Sequence, residues 1–183
     1  LAASKQTFYT IRFLVDRELV SDAYRAYGYF RWLDDRLDQG DMEKPDCLSF
    51  VKRQQILIDH CYRGEWPRHT TDEEAMLVEL VQHDREKQSG LQSYIRNMMA
   101  VMAFDAERRG RWISKNELSE YTRHLAVAVT KALHYFIGHG SMSPQGERRY
   151  LAVTAAHITH MLRDTIEDTA AGYFNIPCEY LES

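Results

Sequence analysis

Apolar positions along this chain recur at three- and four-residue spacing, and only four prolines and nine glycines interrupt them. That is the period of amphipathic helices, and no pair of alternating segments reads as strands. The pattern predicts an all-helical domain. Phe8, Ile11 and Val15 mark a first helix over residues 5–15, and a break near Asp16 precedes a long helix over 18–39 that Gly40 stops. Pro45 opens a third helix running to Cys61, followed by a loop at Gly64 and Pro67. Thr71 to Glu74 has capping-box form and starts a helix to about Lys87; a fifth spans 91–105 before a turn at Gly110. Ser114 to Glu117 is a second capping box, launching a helix to Ile137 that Gly138 to Gly140 ends. Pro144 starts a last long helix carrying His157, His160, Asp164 and Asp168 before Gly172.

Two acidic stretches on these helices stand out, Arg31 to Asp38 and Arg163 to Asp168. At ~1.5 Å rise and ~3.6 residues per turn, Asp34 and Asp38 project from one face roughly 6 Å apart, as do Asp164 and Asp168. Like charges so placed destabilise a bare helix, so matched pairs ask for a counterion, and divalent cations are the simplest. One such pair alone reads most simply as a solvated face; the second changes that. If the two helices face each other, Mg²⁺ held between them can bridge to a diphosphate and make it a better leaving group, a Lewis-acid reaction without a protein nucleophile. The carbocation left behind needs a dry, polarizable wall, for which Phe8, Tyr24, Tyr27, Phe30, Met98, Met102, Phe104 and Tyr121 are candidates. The same methionines and tyrosines serve equally as core. Arg31 is placed either to pair with Asp34 one turn on or to clamp phosphate.

Composition narrows the classes. With 183 residues, 44% hydrophobic and 27% charged, the chain suits one folded domain with a sizeable core. Its net charge of −4 gives no positive field for nucleic acid. Cys47, Cys61 and Cys178 form an odd set without metal-type spacing, which points to a reducing, cytoplasmic setting. No apolar run approaches the ~20 residues that span a bilayer, which leaves peripheral membrane association as the compatible form of lipid contact. No glycine-rich dinucleotide fingerprint follows a strand, and oligomeric state is not encoded in any visible pattern.

These residues together resemble the squalene/phytoene synthase family, the head-to-head prenyltransferases of the isoprenoid synthase fold, over nearly the whole chain. Thr7-Phe8-Tyr9 is similar to the family's Ser/Thr-Phe-Tyr stretch, Arg31 to Asp38 to its Arg-x-x-Asp-Asp-x-x-Asp motif, and His157 to Asp168, with Gly172 and Pro177, to its second motif. Asp105 resembles a mid-chain aspartate and Tyr121 to Val129 a Tyr-led helix. The resemblance implies a helical bundle around a cavity, with Asp34, Asp38, Asp164 and Asp168 binding Mg²⁺, Arg31 and Tyr121 contacting diphosphate, and Arg163 supporting the charged site. It implies condensation of two farnesyl or geranylgeranyl diphosphates through a cyclopropyl intermediate. It also implies further helices beyond Ser183, so the domain over 1–183 is expected to be incomplete at its C-terminus.

The chain departs from the pattern at informative places. His157 and His160 stand where the family has Gln and Asn, and an imidazole at position 160 suits Mn²⁺ better than Mg²⁺. Val127 and Thr130 stand where the family has small glycines, which would narrow a prenyl channel or tighten a helix contact; Ser4 replaces a family His, and Tyr173 to Pro177 replaces a stretch with Arg and Tyr. The leading expectation is a Mg²⁺-dependent prenyltransferase. The alternatives are a non-catalytic, synthase-like binding or assembly protein and an enzyme that ionises a single prenyl diphosphate.

Overall fold

Each long helix turns one apolar stripe inward, and the stripes can be read residue by residue. On α2 (Val20–Asp38) the buried positions Ala23, Ala26, Phe30, Leu33 and Leu37 alternate three and four apart. Cys47, Val51, Gln54, Ile58 and Cys61 repeat that spacing on α3 (Lys44–Tyr62). Leu91, Ile95, Met99, Met102 and Ala106 continue it on α5 (Gly90–Arg108). Such stripes bury one face and leave the other to water, which selects helix-on-helix layers. The structure, a computed structural model, describes residues 5–38, 42–141 and 146–181. Gly40, Ser4 and Pro144, used above as boundary or motif positions, lie outside the described residues.

Among the described residues there are eight α-helices and no strand; α1 is Lys5–Leu14, α4 Asp72–His83, α6 Lys115–Ile137, α7 Leu151–Arg163 and α8 Thr165–Ala170. The all-α expectation therefore holds. α5 lies centrally, packed along α6 and against α3, while α2 packs on α4 and α6 on α7. The α2–α4 approach is close: a Cβ on Gly28 would stand 3.0 Å from the Met76 sulfur. A polar cluster around Gln54 enters this core. Gln54 accepts from the Tyr29 hydroxyl (3.1 Å) and donates to buried Glu74 (2.9 Å), which also pairs with Arg53 at 2.7 Å. Every buried polar atom named here has a partner, as burial requires.

Both capping boxes form: Thr71 with Glu74 and Ser114 with Glu117, each accepting at the side chain and returning a carboxylate to the cap N–H. Two helix ends differ from expectation. α4 ends at His83 and not near Lys87, because the Asp84 carboxylate accepts from Ser89 (2.6 Å) and Tyr62 (3.2 Å), and Gln88 takes a positive φ of 55°. The single last helix is instead a 3₁₀ turn at Glu147–Tyr150 followed by α7 and α8, which meet at Asp164 (φ −93°, ψ 9°). Thr165 sits there with its hydroxyl bonded to both the Met161 and Leu162 carbonyls, 2.9 Å each, a back-bonding pattern that bends helices.

Beyond α8 the chain folds back on the α5–α6 turn. Gly172 (φ 88°) reverses it, Gly110 N–H donates to the Gly172 carbonyl (2.8 Å), and Trp112 and Phe174 form an isolated parallel bridge with stacked rings 4.6 Å apart. Cys178 N–H donates to the Ile113 carbonyl (3.0 Å). This clasp carries Tyr173 and Asn175 to the end of α5.

Candidate functional site

The last two turns of α2 present Asp34 and Asp38 to a cleft of about 160 Å³ whose other walls are Leu37, Met102, Asp105, Arg108, Asp168 and Tyr173. Residues from the two ends of the chain thus meet: Asp34 and Asp38 from α2, Asp168 from α8, joined by Asp105 and Arg108 from α5 and Tyr173 from the clasp.

Arg108 is the hub. It is only 6% exposed, and its guanidinium lies 4.8 Å from the ring centre of Tyr173, 5.0 Å from Tyr121 and 5.8 Å from Phe104. Its Nε donates to Asp105 Oδ1 at 2.6 Å and its Nη1 to Asn175 Oδ1 at 2.5 Å. Asn175 Nδ2 in turn donates to Asp168 Oδ2 at 2.5 Å, and the Tyr121 hydroxyl to Asp105 Oδ2 at 3.3 Å. A buried cation needs such partners to offset its desolvation.

The acids respond to their setting. Burial, then the charge of Asp38, pushes the Asp34 carboxyl up to about 6. Burial raises Asp105 against the opposing pull of Arg108, and raises Asp168 against the hydrogen bond from Asn175. Tyr173 is pushed up to about 12 by burial and the nearby Asp38 and Asp105, and Tyr121 is raised by burial and Asp105. Each shift favours the form carrying less negative charge, and burial is the largest cause in every case.

The structure separates the other predicted positions. Arg31 pairs with Asp35 at 2.7 Å and more loosely with Asp34 at 3.5 Å, the salt-bridge arrangement of the two left open. Asp164 does not line the cleft; Arg163 grips it with two bonds, 2.6 and 2.7 Å, and holds its carboxyl below the usual range. Asp164 and Asp168 remain one turn apart, the Asp168 N–H donating to the Asp164 carbonyl at 2.9 Å, and of the two only Asp168 lines the cleft. The His157 ring lies 5.3 Å from that of Tyr121, and its Nε2 is buried without a partner among the described residues. Burial, with Arg108 and His160 nearby, pulls that imidazole down to about 4, so it is neutral at pH 7. His160 is exposed, Val127 is half-buried on α6, and Phe8 lies on α1 with its ring 6.4 Å from Tyr24.

Arg108 and Asn175 escaped the sequence reading. The Asp105–Arg108 spacing of three was a visible pairing signal. Asn175 carried only its place in a stretch that departs from the family pattern.

Among the described residues no three His, Cys, Asp or Glu side chains are gathered closely enough to hold one ion. Magnesium commonly takes one or two carboxylates plus waters and substrate phosphates, so the oxygen donors of Asp34, Asp38 and Asp168 suit it by type, with waters and phosphate completing its shell and not a cage of three carboxylates. Among the described residues no helix is long and apolar enough to cross a membrane. A family model described as squalene/phytoene synthase matches residues 1–183, the whole chain. No curated protein and no solved structure matches it.

Proposed function

The chain belongs to the squalene/phytoene synthase family, and from that membership we propose that it is a divalent-metal-dependent prenyltransferase condensing two prenyl diphosphates, farnesyl or geranylgeranyl, head-to-head with release of diphosphate. The observation that carries this reading is the meeting of Asp34, Asp38 and Asp168 in one cleft from opposite ends of the chain.

Asp34, Asp38 and Asp168 would hold Mg²⁺, with Mn²⁺ as the alternative. The bound ion supplies charge neutralisation of the departing diphosphate. The residues do the rest. Arg108 keeps one fixed positive charge at the cleft floor, and the rings of Phe104, Tyr121 and Tyr173 around it exclude water. Arg31, held by Asp35 on the same α2 face, can exchange that partner for phosphate as substrate arrives. Neutral His157 and Val127 would line the prenyl side of Tyr121. Asp164, Arg163 and His160 belong to the same motif and are proposed to join when substrate draws the α7–α8 bend inward.

The test is diphosphate release and lipid product from each prenyl diphosphate with Mg²⁺ or Mn²⁺, beside Asp34→Asn. Metal-dependent release that disappears in the variant, with a hydrocarbon of doubled length, supports the reading. A terpene alcohol or cyclic terpene in its place would mean ionisation of a single substrate. The pairing of Asp164 with Arg163 favours a second reading, a non-catalytic synthase-like binding protein; folded protein that releases no diphosphate with either metal would select it.

A further inference from the structure

Asp105 and Asp168 reach the same cleft but are held differently. Both oxygens of Asp105 are engaged, Oδ1 by Arg108 and Oδ2 by Tyr121. Among the described residues Asp168 is engaged at Oδ2 alone, by Asn175. Asn175 is 8% exposed and uses both ends of its amide: the oxygen accepts from Arg108 and the nitrogen donates to Asp168. The opposite amide orientation would set NH₂ against a guanidinium and oxygen against a carboxylate, so the network admits one direction only. It spans 67 positions of sequence between Arg108 and Asn175, and the clasp of Gly172 on Gly110 and Phe174 on Trp112 fixes its far end.

We propose that Arg108 and Asn175 form a positioning relay that fixes Asp168 as a metal ligand, reserving one carboxylate oxygen for the ion, while Asp105 is a brace for Arg108 and Tyr121 and not a ligand. This rests on the reading that Asp168 serves a divalent ion in the cleft. The relay does for a carboxylate what outer hydrogen bonds do for metal-bound histidines: it sets orientation before the ion arrives. Loss of such a partner typically weakens metal binding about 10–100-fold.

The test uses Mn²⁺ alone, titrated into the full chain and followed by the electron paramagnetic resonance of the free ion, with circular dichroism verifying the fold. Asn175→Leu keeps the volume and removes both bonds; it is expected to weaken the Mn²⁺ site that Asp34→Asn abolishes by about 10–100-fold. Arg108→Lys keeps the charge but not the guanidinium's fixed fork, and is expected to weaken it as well. In the double variant Asn175→Leu with Asp168→Asn, the first change should add nothing to the second, because the relay acts only through Asp168. A merely structural role would lower the melting temperature of the metal-free protein and leave Mn²⁺ affinity of the folded form unchanged. Wild-type affinity in Asn175→Leu, additive effects in the double variant, or no Mn²⁺ binding by the wild type would overturn the proposal. Prenyl diphosphate turnover measured in parallel separates the two readings: a relay effect in a protein that releases no diphosphate sinks only the reaction, and turnover with unchanged affinity sinks only the relay.

Discussion

Two residues carry protonation states that burial has moved in opposite senses. Asp34 has its carboxyl raised to about 6 from 3.8, so its ionised form is disfavoured in the folded state. That penalty is complete above about pH 6 and is relieved as pH falls through 6 toward 3.8. Asp34→Asn should therefore stabilise the metal-free protein at pH 7.5 and lose that advantage near pH 4, in thermal melts at each pH. The side chain is 45% exposed; with solvent screening the gain is on the order of 1 kcal/mol, about 2–4 °C. His157 runs the other way. Its folded-state value of about 4 against 6.5 means that charging it costs the folded state, so stability is lost as pH falls from 6.5 to 4. His157→Gln should shrink the drop in denaturation midpoint across that window and leave the midpoint at pH 8 nearly unchanged. An unchanged drop would place the acid sensitivity in other groups. At this scale the sequence revealed the aspartates, because i,i+4 spacing is local. It could not reveal that Arg108 binds Asn175, since nothing in a helix period reports on a partner 67 residues away.

The starts of α4 and α6 are decided by contacts three residues apart, and the end of α4 by contacts beyond a helix period. The Thr71 box closes with Glu74 accepting from the cap N–H (3.1 Å), and Glu74 also anchors Gln54 and Arg53. The Ser114 box closes likewise, and its Glu117 pairs with Arg111 at 2.7 Å on the surface. Thr71→Ala and Ser114→Ala should each cost about 1 kcal/mol, roughly 2–4 °C in melting temperature. The Thr71 change should cost more, because it also frees a carboxylate buried to 2% exposure; equal losses would mean that the Gln54 and Arg53 contacts hold Glu74 unaided. Both boxes were legible because cap and partner lie three residues apart. The early end of α4 was not, because Arg85, Glu86 and Lys87 are adequate helix formers and the decision is made by Asp84 bonding Ser89 and Tyr62. The bend at Asp164 was hidden for a related reason: Thr165 is tolerated inside helices until its hydroxyl finds two carbonyls of the preceding turn.

At the scale of the whole molecule, the site closes a circuit between chain ends. α2 and α8 reach the cleft from opposite ends of the sequence, and both are fastened to α5, the one by core packing and the other through Asn175 and the clasp. Without a cation, burial at that junction, reinforced by carboxylates that are mostly on the same helix, disfavours the ionised forms of Asp34 and Asp168. A divalent ion binding only the folded form converts the same junction into a cross-link, and its stabilisation follows RT ln(1 + [ion]/Kd). At an ion concentration of about 100 Kd this amounts to ~2.7 kcal/mol, roughly 5–10 °C for a chain of this size. Calorimetry of the full chain with and without Mg²⁺ should show that shift. Asp34→Asn, already stabilised when metal-free, should show much less of it, so that the ranking of the two proteins reverses as Mg²⁺ is added. Hydrogen exchange should slow in α8 as well as in the last turns of α2, because one ion restrains both. A shift of equal size in Asp34→Asn, or protection confined to α2, would mean that the ion binds elsewhere and that the two acidic segments meet without sharing it.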